Sequence, residues 1–204
     1  NLIGEFMKKS FLFILLILFL LCNLSFKVPN KETAYIVIEK NTNRVLKEQN
    51  SNKQMLIAST VKILTAITSI ENYKIDEEII VTKEDTSSVG SSVYLTTGEK
   101  IKRKDLIYAL MLRSANDAAS ALSNNNSFDF VYQMNEIAKK IGMHNSVFEN
   151  ASGLDEREFN ISTAYDLAIL ASYAAKNDTF LSIASSHTYS CQSDRRSYNF
   201  INKH

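Results

Sequence analysis

The sequence is short of several things at once. It has one proline (Pro29), no tryptophan and only three histidines, and its formal net charge is +1. Without a basic excess, the charge balance gives no argument for nucleic acid as a partner. His144, His187 and His204 are scattered in polar contexts, and no Gly-x-Ser-x-Gly turn accompanies them, which argues against a Ser–His–Asp triad. No His-Glu-x-x-His string, cysteine pair or EF-hand spacing is present, so neither a metal nor another cofactor is implied. The two cysteines are Cys22 and Cys191. Cys22 closes an apolar leader, which leaves Cys191 alone and no intrachain disulfide to form. Cys191 reads as a strand residue, not a nucleophile, because no partner histidine motif surrounds it.

What is present starts with that leader. Lys8 and Lys9 precede an unbroken apolar run from Phe11 to Cys22. The run is too short for a comfortable membrane span and matches a signal-peptide core. Met7 reads as the initiator, with residues 1–6 upstream or vector-derived and residues 7–26 a signal peptide or membrane anchor. No Ala-x-Ala site follows, so cleavage, lipidation at Cys22 and an uncleaved anchor all stay open. Each places the protein outside the cytoplasmic membrane and gives it a membrane contact through the N-terminal segment. Residues 27–33 form a polar linker, and residues 34–204 one domain.

Within that domain, Ala34 to Glu39 and Arg44 to Glu48 flank the turn Asn41-Thr42-Asn43, which predicts a hairpin. An apolar helix follows from Ser59, taken as its N-cap, to about Tyr73. Glu78 to Thr82 reads as a strand and Ser87 to Gly98 as a loop over something else. Helices are expected over Lys104 to Leu112, Asp117 to Leu122, Phe128 to Ile141, Thr163 to Ala175 and Asp178 to Ser185. A Thr163-x-x-Asp166 capping box opens the fourth of these. Thr188 to Ser190 and Ser197 to Ile201 read as strands. The order is hairpin, helical middle, then strands, and the first hairpin is expected to find its sheet partners in the C-terminal part.

Chemistry concentrates at Ser59-Thr60-Val61-Lys62. Residues three apart share a helix face, so the Lys62 ammonium is expected beside the Ser59 hydroxyl. A lysine one turn into an apolar helix is costly unless paired or deprotonated, and a deprotonated lysine beside a serine is one recipe for an activated nucleophile. The bland alternative is a capped helix whose lysine snorkels to solvent. A second string, Ser114-Ala115-Asn116, falls between two helical segments. Alone it carries little, since Ser123-Asn124-Asn125 and Ser197-Tyr198-Asn199 match it too.

In context the two strings carry more. From Ala34 onward the chain resembles the serine D-alanyl-D-alanine carboxypeptidases, the low-molecular-weight penicillin-binding proteins. The resemblance runs through Ile57 to Lys62, Gly90-Ser91-Ser92, Gly98-Glu99-Lys100, Leu106 to Ala119, Met134-Asn135, Gly142-Met143, Gly153-Leu154-Asp155 and Ser162 to Ala168. The S-x-x-K and S-x-N strings stand in the order that superfamily uses. It implies an α/β (α+β) fold of the serine β-lactamase and penicillin-binding-protein transpeptidase kind, a helical subdomain with an incomplete antiparallel sheet. It further implies catalytic roles for Ser59 as nucleophile, Lys62 as proton acceptor and Ser114 as proton relay, with Asn116 binding the substrate peptide. The implied partners are peptidoglycan stem peptides ending in D-Ala-D-Ala, and β-lactam antibiotics as inhibitors.

One departure goes with the resemblance. The family's third motif, Lys-Thr-Gly or a variant, is not among the 204 residues, which end in Asn199-Phe200-Ile201-Asn202-Lys203-His204. The chain reads as C-terminally truncated before that motif, and on its own it is expected to be inactive or unstable. Two alternatives remain beside the carboxypeptidase. A β-lactamase of the same fold would carry Glu-x-x-Leu-Asn, where this chain has Ala151-Ser152-Gly153-Leu154-Asp155. A non-catalytic remnant that binds cell wall is the other. Asp155, Glu156 and Glu158 read as a solvated acidic loop, not a metal site.

Overall fold

A computed structural model describes residues 33–124, 129–154 and 159–202. The leader and the acidic loop at residues 155–158 lie outside the described residues. From Ala34 on, the chain forms one unit.

At its centre is a helix, α1 (Lys62–Asn72), buried on nearly every side. Leu64, Ala66 and Ile67 are fully inaccessible. Burying each leucine or isoleucine side chain of this kind contributes about 1.5–3 kcal/mol. Around α1 pack α2 (Arg103–Arg113), α3 (Asn116–Asn124), α4 (Phe130–Ile141), α5 (Ala164–Ala174) and α6 (Asp178–Ala184). The helix α4 buries Phe130, Met134, Ile137 and Ala138, the apolar stripe its sequence spacing predicts. Asp129 caps it by accepting from the Tyr132 amide at 3.1 Å. The small residues Ala118, Ala119 and Ala121 let α3 lie close against its neighbours.

Among the described residues the strands form four separate antiparallel pairs: β1 (Tyr35–Ile38) with β2 (Val45–Gln49), β3 (Met55–Leu56) with β6 (Ile161–Ser162), β4 (Glu78–Ile80) with β5 (Lys100–Lys102), and β7 (Thr188–Gln192) with β8 (Ser197–Ile201). The expected first hairpin is there, and so are the strands near the C-terminus. They do not join each other among the described residues, which corrects the expectation that they share a sheet. The β1–β2 hairpin leans on α5, where Ser172 Oγ donates to the Lys40 carbonyl at 2.7 Å. The β7–β8 hairpin leans on α2 instead, with Tyr189 stacked on Tyr108 and its hydroxyl donating to Asp105 Oδ1 at 2.6 Å.

Two capping expectations also change. Ser59 is not an N-cap: it sits inside a 3₁₀ turn (Ala58–Val61), and α1 starts at Lys62 with no side-chain cap. Thr163 does cap α5, accepting from the Asp166 amide at 3.1 Å. Asp166, however, does not reach back to Thr163. Its carboxylate accepts from the Asn145 amide at 2.8 Å and Ser146 Oγ at 2.7 Å, tying α5 to the chain that follows α4. Among the described residues no helix is long and apolar enough to cross a membrane.

Candidate active site

The 3₁₀ turn before α1 puts Ser59 at the surface and Lys62 in the interior, 3% exposed. Lys62 Nζ lies 3.0 Å from Ser59 Oγ. It also lies 2.8 Å from Asn116 Oδ1 and donates to the Ser152 carbonyl. Three acceptors thus meet the three N–H bonds of an ammonium. Burial acts against that charge and lowers the Lys62 pKa from 10.5 to about 8.

The neutral amine is the chemically informative state. It keeps two N–H bonds and gains one lone pair. The Ser152 carbonyl can only accept. Asn116 also presents its accepting atom, because its Nδ2 is engaged in donating to the Val89 carbonyl at 2.6 Å. Only the Ser59 hydroxyl has a proton to give. Both N–H bonds therefore go to Asn116 and Ser152, and the lone pair is left facing Ser59. A buried base within hydrogen-bond reach of a surface hydroxyl is the arrangement that proton abstraction needs.

Asn116 is brought there by a turn of its own. Ser114 ends α2 in the left-handed region at φ 52, and Asn116 opens α3 two residues later. The loop from Ser88 to Gly98 straps this turn down. Ser91 O accepts from the Asn116 amide at 2.7 Å, and Gly90, at φ 87, leaves room for Asn116 Nδ2, which would stand 3.1 Å from a Cβ there. Asp117, buried, holds the next stretch through Ser92 Oγ at 2.5 Å and the Leu95 amide at 3.0 Å.

Of the four residues singled out from sequence, three converge: Ser59, Lys62 and Asn116. Ser114 does not join them directly. Its hydroxyl hydrogen-bonds neither Ser59 nor Lys62 among the described residues, and it lines an adjoining cleft of about 300 Å³ with Gly90, Ser91, Ser92, Tyr94 and Arg113. The Ser152 carbonyl was not foreseen. The segment Ala151 to Asp155 entered the sequence reading only through the family resemblance, with no role given to a backbone carbonyl. Gly153, at φ 81, packs backbone to backbone on Ala58, where a Cβ would come within 2.2 Å of the carbonyl oxygen. Cys191 lies in β7, where burial first, then the carboxylates of Asp105 and Glu99, push its thiol up to about 12. Such a thiol is no nucleophile at neutral pH. Among the described residues no cluster of His, Cys, Asp and Glu could hold a metal ion.

Fold and site together fit the class of serine hydrolases. Comparison with known proteins narrows this: residues 27–204 match the D-alanyl-D-alanine carboxypeptidase family, and the chain belongs to it. It is 31% identical over 161 residues to the D-alanyl-D-alanine carboxypeptidase DacF of Bacillus subtilis, covering 75% of this chain and 41% of that one. It is 36% identical over 146 residues to a D-alanyl-D-alanine endopeptidase of Haemophilus influenzae, covering 69% and 49%. The chain thus spans less than half the length of these two relatives. Among solved structures, the D-alanyl-D-alanine carboxypeptidase of Mycobacterium tuberculosis superposes with a TM-score of 0.80 at 26% identity, over 84% of this chain and 66% of that one.

Proposed function

We propose that Ser59 is the nucleophile of a D-Ala-D-Ala carboxypeptidase that trims peptidoglycan stem peptides. The observation that carries this reading is Lys62 Nζ, held 3.0 Å from Ser59 Oγ and 2.8 Å from Asn116 Oδ1 in a buried setting. Ser59 Oγ attacks the carbonyl carbon of the penultimate D-alanine as its proton passes to Lys62. The Ser59 backbone N–H is one donor to the oxyanion that forms. The C–N bond then breaks, and the proton returns to the leaving amine with Ser114 as relay, releasing D-alanine. Water attacks the remaining ester and frees Ser59. Asn116 orients Lys62 and hydrogen-bonds the peptide. A β-lactam enters by the same attack, and its ester persists on Ser59. The substrate places the protein outside the cytoplasmic membrane, held there or led there by residues 7–26.

The test uses the gene product containing these residues. After incubation with benzylpenicillin, intact-mass and peptide mass spectrometry should place one adduct on Ser59, and Ser59→Ala should abolish it. An adduct that survives Ser59→Ala removes the nucleophile assignment. A D-Ala-D-Ala pentapeptide and a cross-linked dimer, offered in parallel, separate the two activities that the relatives' names describe. Release of free D-alanine marks the carboxypeptidase; cleavage of the dimer without it marks an endopeptidase and overturns the substrate proposed here.

A further inference from the structure

The carbonyl that takes the Lys62 N–H stands on a loop whose shape depends on one side chain. Asn150 Oδ1 accepts from the Ser152 amide at 3.1 Å, the Gly153 amide at 2.7 Å and Asn160 Nδ2 at 3.0 Å. Asn150 Nδ2 donates to the Leu154 carbonyl at 3.1 Å. Asn160 is itself fully buried, and its Oδ1 accepts from the Glu149 amide at 3.0 Å while its carbonyl accepts from the Ile57 amide at 3.2 Å. The residues on either side of Ser152 are anchored too. Thr65 Oγ1, from α1, donates to the Ala151 carbonyl at 2.7 Å, and Gly153 lies flat against the Ala58 carbonyl.

We propose that Asn150 is a positioning residue for Lys62: by holding the amides of residues 152 and 153, it aims the Ser152 carbonyl at Nζ and so turns the lysine lone pair toward the Ser59 hydroxyl. It touches no reacting atom. Its catalytic consequence rests on the reading of Ser59 as nucleophile, whereas its geometric consequence does not. Without a fixed Ser152 carbonyl, neutral Lys62 has a spare N–H. It can then rotate and give that N–H to Ser59 Oγ, which points the lone pair away from the proton it should accept. Binding of substrate is untouched by such a rotation; the chemical step is not.

Two variants separate this from a merely structural role. Asn150→Asp keeps an oxygen to accept from the Ser152 and Gly153 amides, at the loss of the donor to the Leu154 carbonyl; Asn150→Ala keeps neither. The first readout needs no activity. In protein labelled with ¹⁵N-lysine, the Lys62 Nζ signal, assigned by its loss in Lys62→Arg, should be protected from solvent exchange in the wild type and in Asn150→Asp, and unprotected in Asn150→Ala. The second readout is acylation by benzylpenicillin. The rate at saturation should fall about 10–100-fold in Asn150→Ala with the half-saturating concentration unchanged, and stay within about threefold of wild type in Asn150→Asp. The proposal is overturned if Asn150→Ala keeps both the signal and the rate, or if the wild type shows no protected signal. It is equally overturned if Asn150→Asp loses what the acceptor should preserve, a comparison that holds even where Asn150→Ala does not fold. A protected wild-type signal that Asn150→Ala loses, in a protein that forms no Ser59 adduct, sinks the nucleophile reading and leaves the Asn150 clamp standing.

Discussion

Lys62 Nζ and Asn116 Oδ1 lie 2.8 Å apart although 54 residues separate them in the chain. The pairing joins the start of α1 to the start of α3. It survives only because the left-handed turn at Ser114 and the carbonyls of Val89 and Ser91 fix how Asn116 enters the site. The amide is an oriented acceptor that consumes one lysine N–H, and the basicity of Lys62 toward Ser59 depends on that orientation.

The first prediction concerns pH. Burial brings Lys62 down to about 8, so at pH 7 roughly one site in ten carries the neutral base, against about one in three thousand for an ordinary lysine. Acylation by a β-lactam should therefore rise with pH through an apparent pKa near 8 and then level off. Stability follows the same group with its own sign. The unfolded chain holds the Lys62 proton up to about 10.5, so between about 8 and 10.5 it binds more protons than the folded chain. The contribution of Lys62 to stability rises with pH across that window. Stopped-flow acylation from pH 6 to 10 checks the first statement. A flat profile refutes it.

Asn116→Asp tests the electrostatic side of the same contact. A carboxylate in place of the amide oxygen favours the ammonium form and raises the Lys62 pKa. It also removes the donor to the Val89 carbonyl. The acylation profile should move to higher pH by a unit or so, with a rate at pH 7 about 10-fold lower or worse. Asn116→Ala, which adds no charge, should slow acylation without that upward displacement. Equal profiles for the two variants would show that Asn116 does not set the charge state of Lys62.

Glycines at two loops with left-handed backbone give a controlled comparison. Gly142→Ala meets only conformational strain at φ 96, since its Cβ would have His144 Nε2 as nearest atom at 3.9 Å; the cost should be about 1 kcal/mol. Gly153→Ala meets backbone: Ala58 O at 2.2 Å, Ala58 C at 2.4 Å and Ser59 N at 2.8 Å. Neither partner is a flexible side chain, so this variant should lose about 3 kcal/mol or more and displace the turn that carries Ser59. Urea unfolding of both variants measures the difference, and equal midpoints contradict it.

Much of this arrangement was legible in the chain, and the exceptions share a cause. Ser59 and Lys62 could be paired because three-residue spacing puts side chains on one face whether the turn is 3₁₀ or α. The helices could be read from apolar spacing, since α1 and α4 bury the residues that repeat. The strands β3 and β6 could not, because two residues are too few to show alternation, and β5, a single Ile101 between two lysines, lacks the β-branched run that marks β4. Ser152 escaped for a different reason. It acts through its carbonyl, which every residue possesses, so its identity carries no signal. The Ser59 N-cap was misjudged because a serine before an apolar helix reads as a cap, whereas the chain tightens into a 3₁₀ turn that holds Ser59 inside it and starts α1 only at Lys62.

Asp117 is the residue to remove if the loop over the site is to be tested without touching Ser59, Lys62 or Asn116. It is 1% exposed, and its carboxylate accepts from Ser92 Oγ at 2.5 Å, from the amides of Val93 at 3.2 Å and Leu95 at 3.0 Å, and from the Ala118 amide at 2.9 Å. Asp117→Ala deprives the buried Leu95 and Ala118 amides, and the half-buried Ser92 hydroxyl and Val93 amide, of this acceptor, at a cost of about 3–5 kcal/mol. Asp117→Asn retains one accepting oxygen and should cost about 1–2 kcal/mol. Because Val89 and Ser91 precede the same stretch, loosening it also frees the two carbonyls that hold Asn116. Asp117→Asn should therefore fold, show faster amide exchange at residues 92–95, and acylate more slowly than wild type. Hydrogen exchange read residue by residue decides the matter: unchanged protection at Val93 and Leu95 would mean that the loop does not hang on this carboxylate.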